Sequence, residues 1–467
     1  MAALTQWYEG YYDLARGGLY TFKIREMHRK YGPIVRISPY ELHIDDPEFY
    51  GQLYNRHGRW EKYSHYSNQF GLSRTEFGTA GHDLHRLRRS AVHPFFAKAK
   101  VASFEPVIQS KIDKLCERME QSRTAGNVFP LQLAFTCLTM DIITEFAMSA
   151  CFDYLDGPDF HPRWREVVSG FGHLGYMAKN VPLVFPLLQV LPLGLCNILA
   201  PKVACFLEFK DKCRVQVGKT RERISAGKSR EDRDTIFEAM IHSDLSPGEK
   251  TDDHLREEAQ SLIGAGTETV ARTLAVISYY LLEAPEKLMR LRDEFNSVVS
   301  TSSIGALLPQ LEQLPYLGRK QSFWKDSAGY SLSYGSSTRL QRIAPDRDIY
   351  YDDWTIPAGT PVGMTSVLMH QNATIFPAPL EFLPERWLDS TERHRLEHYL
   401  VPFSKGSRQC LGINLAHAEL YLTIHALFTR FPCLQLYETT RADVEIRRDM
   451  FFPEVQVGSQ LVRVRVL

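Results

Sequence analysis

A ten-residue segment, 403–412, concentrates residue types that can hold a metal. It reads Phe-Ser-Lys-Gly-Ser-Arg-Gln-Cys-Leu-Gly and directly precedes a predicted helix. Gly406 and Gly412 permit positive φ and close approach of the backbone to a flat group. Cys410 lies near the helix N-terminus, two residues after Arg408, and the dipole and the guanidinium both favour its thiolate. A thiolate is a soft metal ligand, although most lone cysteines are buried structural residues.

The centre of a long predicted helix, Asp253 to Leu282, is unusually rich in small residues. Residues 264–269 read Gly-Ala-Gly-Thr-Glu-Thr, and each mid-helix glycine costs about 1 kcal/mol relative to alanine. Ala265 and Gly266 would let a flat cofactor and a diatomic ligand approach, and Thr269 lies one turn after Ala265 on the same face. The alternative is a glycine-kinked helix that packs against a neighbouring helix.

Segment 403–412 resembles the haem-binding loop FxxGxRxCxG of the cytochrome P-450 family, and it matches at all five specified positions. The resemblance implies that Cys410 is the axial thiolate ligand of haem b iron. It also implies that Arg408 contacts a haem propionate, that Phe403 packs beside the thiolate, and that Gly406 belongs to the cofactor-binding loop.

The central helix resembles the distal-helix pattern AGx(D/E)T of the same family, which Ala265, Gly266, Glu268 and Thr269 satisfy. In the family, the acid and the threonine hydroxyl deliver protons to bound dioxygen. The resemblance therefore implies catalytic roles for Glu268 and Thr269 and a cofactor-facing position for the two small residues.

Two weaker matches suggest further contacts to the haem propionates. The stretch from His85 to Arg89 resembles a WxxxR helix, with His85 in place of Trp and Arg89 as the retained cation. The alternative for this stretch is a solvated basic helix face. Residues 337–342 resemble a segment that lines the substrate pocket, and they imply that Arg342 also binds a propionate.

One family element, an ExxR pair, is absent from residues 319–330, where a polar, aperiodic stretch stands instead. Arg386, in a matching PERW element, would then be a buried cation without its partners, which is costly. A frame that starts at the third base of the Phe323 codon forces glutamate across Trp324 and Lys325 and permits arginine three residues later. We hypothesise that 319–330 is a frame-shifted translation of an intact ExxR helix.

Composition excludes several classes of protein. The chain of 467 residues has 55 Lys plus Arg and 55 Asp plus Glu, so it lacks the basic excess that nucleic-acid binding needs. Its eight cysteines include no CxxC pair, which argues against structural zinc or a disulfide framework. We predict a mainly α fold with small β-sheets, the cytochrome P-450 fold, as a single domain over 1–467.

Local patterns predict where the smaller elements lie. We expect strand-like segments at Ile34–Ile37, Val362–Met364 and Val455–Leu467. We expect a hairpin at Asp346–Gly359 and an exposed loop at Ala226–Lys250. By the resemblance, we expect the substrate pocket to be lined by residues 62–79, the helix near Ala265, residues 334–338 and residues 449–455.

The N-terminus shows neither a secretory signal nor the apolar anchor of eukaryotic family members. The family implies the cytosolic face of the endoplasmic reticulum membrane, whereas the chain as written predicts a cytosolic protein without an anchor. Val181 to Pro201 is uncharged and long enough to span a bilayer, but its four prolines exclude a single helix. This stretch is therefore either a buried, kinked connection or a peripheral membrane contact.

The resemblance implies a haem-thiolate monooxygenase that inserts one oxygen atom from O2 into an apolar small molecule. Electrons would come from NADPH-cytochrome P-450 reductase, docked on the basic face near Cys410. The N-terminal part resembles filamentous-fungal members similar to trichodiene oxygenase, which implies secondary metabolism, with a terpenoid substrate and a mycotoxin-type product. One alternative is a rearrangement catalyst, which would not need Glu268 and Thr269. The other is a non-catalytic remnant that at most binds haem.

Overall fold

Helices dominate the computed structural model, which describes residues 1–148, 150–181, 183–184, 194, 196–197, 201–227, 235–299, 306–317, 339 and 341–467. The α-helices of the N-terminal half are α1 (Trp7–Gly10), α2 (Tyr20–Tyr31), α3 (Tyr50–Leu53), α4 (Ser64–Ser67), α5 (His82–Val92), α6 (Lys98–Ser103), α7 (Glu105–Ala125), α8 (Leu131–Met148) and α9 (Trp164–Asn180). Those of the C-terminal half are α10 (Pro201–Ser225), α11 (Ile236–His242), α12 (Asp252–Glu283), α13 (Pro285–Val299), α14 (Leu307–Leu311), α15 (Ser366–His370), α16 (Ser390–Tyr399) and α17 (Ile413–Arg430).

The strands are short and lie in small sheets. They are β1 (Ile34–Arg36), β2 (Leu42–Ile44), β3 (Glu61–Lys62), β4 (Arg342–Ile343), β5 (Ile349–Tyr351), β6 (Trp354–Ile356), β7 (Val362–Gly363), β8 (Leu434–Leu436), β9 (Arg448–Met450), β10 (Phe452–Glu454) and β11 (Val464–Val466). A five-stranded sheet has the order β1-β2-β7-β4-β3, in which only the β2–β7 pair is parallel. The pairs β5–β6, β9–β10 and β8–β11 form antiparallel two-stranded sheets. The mainly α prediction is confirmed, as is the hairpin within 346–359.

The central helix α12 begins at a capped N-terminus and runs through the largest apolar core. The Thr251 side chain accepts a hydrogen bond of 3.3 Å from the His254 backbone N–H, and Asp252 and Asp253 occupy the first turn. Both features stabilise a helix start. A Cβ added to Gly266 would lie 2.7 Å from Cγ1 of Ile143 on α8. The close packing of α12 on α8 thus requires a residue without a Cβ at position 266.

Helix α8 is predominantly apolar. Among the described residues it is the one helix long and apolar enough to cross a membrane, and 89% of that window is buried inside the protein. Most of the Val181–Pro201 stretch lies outside the described residues, so its two interpretations stay predictions.

The predicted exposed loop over Ala226–Lys250 is wrong in its second part. Helix α11 begins after Thr235, whose side chain accepts from the Glu238 backbone N–H while the Glu238 side chain accepts from the Thr235 N–H. This reciprocal capping box was readable as Thr-x-x-Glu before an apolar residue. A 3₁₀ turn follows at Pro247–Lys250.

The element around Arg386 also differs from its prediction. Residues 319–330 lie outside the described residues, so the frame-shift hypothesis for this segment stays a prediction. Arg386 itself is half-buried, and its guanidinium donates to the carbonyl oxygens of Pro377 at 2.6 Å, Ala378 at 3.2 Å and Glu381 at 3.2 Å. It is therefore not a buried cation without partners, because backbone carbonyls accept from it.

Candidate active site

An open cavity of about 1490 Å³ lies between α12 and the loop that precedes α17. It collects side chains from distant parts of the chain, and most of the predicted cofactor residues line it. These are His85, Arg89, Ala265, Gly266, Thr269, Arg342, Phe403, Arg408 and Cys410. Two predicted residues, Gly406 and Glu268, are not on its wall. Lys62 and Glu76, which belong to the predicted pocket wall 62–79 but were given no cofactor role, are on it.

The Cys410 loop is folded by its own backbone. The Cys410 N–H donates to the Phe403 carbonyl oxygen at 2.9 Å, which closes the loop over the intervening residues. Gly406 has φ +80°, and a Cβ there would lie 2.4 Å from the Asn55 carbonyl oxygen. Gly412, which was also expected to permit positive φ, has an ordinary φ of −85° as the residue before α17. Only Gly406 of the two glycines therefore needs the left-handed region.

The Cys410 side chain is exposed on the cavity wall, unlike the buried Cys116, Cys137 and Cys213. Burial of the surrounding pocket raises the pKa of its thiol, while a backbone N–H from Gly412 and the charge of Arg89 act to lower it. Metal coordination deprotonates a thiol outright. The Cys410 thiol is therefore accessible from the cavity, and coordination to a metal would complete its conversion to thiolate.

Arg408 does not provide the charge that was expected next to Cys410. Its guanidinium donates to the carbonyl oxygens of Thr79 at 2.6 Å, Ala80 at 2.7 Å and Gly81 at 3.2 Å. These bonds fasten the loop to the start of α5. Its Nε has no hydrogen-bond acceptor among the described residues, although the atom is buried.

The cavity wall carries an excess of buried and half-buried cations. Lys62, Arg89, Arg342 and Arg408 all line it. Burial, together with the charge of Arg342, lowers the pKa of Arg408 to about 9, and burial followed by the charge of Arg408 lowers the pKa of Lys62. Such mutual repulsion is relieved when anions bind between the cations.

The carboxyl groups on this wall do not balance those cations. Burial acts to raise the pKa of Glu76, but a 2.7 Å contact with His85 and the charge of Arg89 outweigh it and hold the pKa far below its usual range. Burial raises the pKa of Glu258 to about 8 and that of Glu419 well above its usual value. At neutral pH, the three arginines on this wall therefore face one ionised carboxylate, and a flat group with two carboxylates, such as haem, fits this wall.

His85 is neutral in this arrangement. Burial lowers its pKa to about 4, although Glu76 acts in the opposite direction. It positions the Glu76 carboxylate, which also accepts from Arg89 at 2.7 Å. The basic-face alternative for this stretch does not describe His85, which is buried.

Thr269 and Glu268, the two predicted catalytic residues on α12, have different surroundings. Thr269 lines the cavity, and its hydroxyl donates to the Ala265 carbonyl oxygen at 2.8 Å. Glu268 is absent from the cavity wall, and its charged neighbours are Arg272, Arg165 and Glu454. Burial raises its pKa to about 7, and the two arginines act to lower it.

A second cavity of about 610 Å³, which we call the aromatic cavity, adjoins the first at Phe77, Ser261 and Ala265. Residues from the predicted walls 62–79 and 449–455 line it, whereas 334–338 lie outside the described residues. A further wall, contributed by α9 and α10, was not predicted from the sequence. Its aromatic residues are Trp164, Phe171, Phe206 and Phe209. Apolar residues at helical spacing in 164–171 and 206–209 were the available signal.

Comparison with known proteins decides the family. The family model described as Cytochrome P450 matches residues 11–455. The chain belongs to the cytochrome P450 family. Its curated relatives include the cytochrome P450 monooxygenase MO6277 of Ascocoryne sarcoides, 41% identical over 99% of this chain and 92% of that protein. The tryptophan 6-hydroxylase fscE of Fusarium equiseti is 37% identical over 100% of this chain and 90% of its own length.

The fold agrees with a solved member of the P450 family. Retinoic-acid-bound cyanobacterial CYP120A1 matches with a TM-score of 0.72, over 94% of this chain and 93% of that one, at 16% sequence identity. This likeness establishes the P450 fold. The fungal relatives establish a monooxygenase family that includes enzymes of secondary metabolism.

Proposed function

We propose that this P450 is an active haem-thiolate monooxygenase that inserts one oxygen atom from O2 into an apolar small molecule. The observation that carries the proposal is the shared cavity, whose wall includes Cys410, Thr269 and three arginine side chains. When bound, a haem with a thiolate ligand supplies the activation of O2.

Several residues of the chain would hold the haem, each through a different contact. Cys410 would be the axial ligand, and Arg89, Arg342 and Arg408 would bind the propionates, for which the cation excess and the unpaired Nε of Arg408 provide the physical basis. Phe403 lines the cavity beside Cys410, while Gly406 shapes the loop from outside the wall.

Proton supply falls to Thr269 and Glu268. The Thr269 hydroxyl holds a proton at the cavity wall and presents it by turning away from the Ala265 carbonyl oxygen. The Glu268 carboxyl, with a pKa of about 7, binds and releases a proton near neutral pH. Because Glu268 lies off the wall, we expect water to connect it to Thr269.

Two substrate classes are consistent with this reaction. The resemblance to trichodiene oxygenase favours a terpenoid and a mycotoxin pathway, whereas two relatives are named a tryptophan and an N-acetyltryptophan 6-hydroxylase. The aromatic cavity supports an apolar ligand of either kind. NADPH-cytochrome P450 reductase as electron donor and an endoplasmic reticulum location are proposed from the family.

A ferrous–CO difference spectrum tests the proposal. We expect the red-shifted Soret band of a thiolate-ligated haem in the natural chain and its loss in Cys410→Ser. The matched control is Cys433→Ser, which changes an exposed free cysteine outside the cavity and should leave the band intact. A natural chain without the band would favour the non-catalytic remnant, and a band that survives Cys410→Ser would overturn the ligand assignment. Oxidation of NADPH with reductase, O2 and substrate then separates a monooxygenase from a rearrangement catalyst.

A further inference from the structure

The aromatic cavity has a chemical character that restricts its ligand. Half of the fourteen described residues that line it are aromatic, and none of the fourteen carries a charge. Moving an ionised group into such surroundings without a partner costs several kcal/mol or more. A ligand of this cavity is therefore uncharged where it contacts the wall, and flat ring systems match the aromatic side chains.

Two buried N–H donors on the same wall lack acceptors. Gln260 is 6% exposed and Trp164 is 5% exposed, and both line the cavity. Neither the Gln260 Nε2 nor the Trp164 Nε1 has a hydrogen-bond partner among the described residues. Buried polar groups are nearly always paired, and leaving one unpaired is destabilising. Two such donors on one otherwise apolar wall indicate that a ligand provides the acceptor.

The position of Gln260 on α12 sets a length for that ligand. Gln260 lies one turn before Gly264 and five residues before Ala265, which lines both cavities and whose carbonyl oxygen accepts from the Thr269 hydroxyl. At a rise of 1.5 Å per residue, the two positions are about 7.5 Å apart along the helix. Gly264 lies between them on the same cavity wall, and a Cβ there would meet nothing within 4 Å.

We propose that the aromatic cavity binds an uncharged, flat, apolar molecule whose acceptor oxygen receives hydrogen bonds from the Gln260 amide and the Trp164 indole. The carbon that is oxidised then lies about two fused rings away from this oxygen, near Ala265. The inference rests on the proposed function and deepens it, because it names Gln260 and Trp164 as specificity-determining residues for that same reaction.

Calorimetric titration of the haem-loaded protein with three probes tests the inference. The probes share a naphthalene ring: 2-acetylnaphthalene offers a carbonyl acceptor, 2-isopropenylnaphthalene has the same shape without one, and 2-naphthoate is an anion. We expect the ketone to bind about tenfold more tightly than the alkene, because the alkene leaves both donors unpaired. The anion should bind at least tenfold more weakly than the ketone.

Variants assign the preference to the two donors. Gln260→Leu and Trp164→Phe each remove an N–H and keep an apolar side chain, and each should reduce the ketone-to-alkene ratio severalfold. Gln435→Leu, on an exposed strand position, should leave the ratio unchanged. A natural protein without ketone preference, a ratio that survives in both variants, equally tight binding of the anion, or no ketone binding would each overturn the proposal. The ferrous–CO spectrum of the same samples shows separately whether the proposed haem function holds.

Discussion

Arg89 donates a hydrogen bond of 2.8 Å to the carbonyl oxygen of Gln409, the residue that precedes Cys410. The same guanidinium donates to Glu76 at 2.7 Å. Arg89 therefore joins α5 to the ligand loop while one face of the cation remains toward the cavity. One side chain thus contributes to loop geometry and to the positive field in which a propionate would bind.

Arg89→Gln should weaken haem retention without unfolding the protein. Loss of charge-assisted bonds costs about 1.5–3 kcal/mol, which corresponds to a rate of haem loss on the order of tenfold or more above that of the natural protein. Transfer of haem to excess apomyoglobin measures this rate. Arg86→Gln, on an exposed position of α5, is the control and should not change it. Equal rates for both variants would remove Arg89 from the cofactor site.

Two neighbouring glycines on α12 should respond to alanine in opposite directions. A Cβ at Gly266 meets Ile143 at 2.7 Å, whereas one at Gly264 meets nothing within 4 Å. Gly266→Ala should lower the free energy of unfolding by about 1–2 kcal/mol. Gly264→Ala should raise it by up to about 1 kcal/mol, because alanine favours helix. Urea unfolding of both variants decides, and stabilisation of both would contradict the packing argument.

Acidification should destabilise the protein through His370. Burial lowers its pKa to about 3, and its Nε2 accepts a hydrogen bond of 2.9 Å from the Val401 N–H. An unfolded histidine has a pKa near 6.5, so the unfolded state binds more protons between pH 6.5 and 3 and stability falls as pH decreases through that window. At pH 5 this linkage amounts to about 2 kcal/mol.

The measurement compares the pH dependence of unfolding for two histidine variants. His370→Gln should flatten the decline of stability between pH 7 and pH 5, because glutamine does not titrate. His394→Gln, at a side chain that is 75% exposed, should keep the natural slope. Identical slopes for both variants would show that His370 does not titrate as its burial indicates.

The transcript across residues 317–335 should encode Glu-x-x-Arg in the alternate frame. The glutamate is forced by the single Trp324 codon and the first bases of Lys325, whereas the arginine depends on codon choice at Ser327 and Ala328. Sequencing the transcript checks this directly. Codons that exclude arginine in that frame would contradict the frame-shift hypothesis and leave a chain without the ExxR pair.

Local motifs carried most of what the sequence could predict. The Cys410 loop and the α12 centre are contiguous motifs, so their resemblance to P450 patterns predicted that Ala265, Thr269 and Cys410 surround one cofactor. The structure brings these three residues to one cavity. The sequence predicted Glu76 only as part of the pocket wall 62–79. Its ionic role was not predictable because it depends on contacts with α5, which no spacing in its own segment indicates.

Tertiary packing overrode several local expectations. Position 266 must be glycine because α8 packs closely against it. Gly412 needs no unusual φ because it is the residue before a helix. The orientation of the Arg408 guanidinium is set by the carbonyl oxygens of Thr79, Ala80 and Gly81, which lie 327–329 positions away in the chain. Helix α11 was predictable from the sequence, because Thr235 and Glu238 have the spacing of a capping box.

The contact between Gly266 and Ile143 also bears on how substrate range changes in evolution. It leaves no room on the α8 side of α12, so variation there is constrained by stability. The facing wall of the aromatic cavity comes from α9 and α10, where ring size at Phe171, Phe206 or Phe209 alters volume without touching the cofactor loop. Divergence among relatives with different substrates should therefore concentrate on these two helices, while the α8–α12 pair changes slowly.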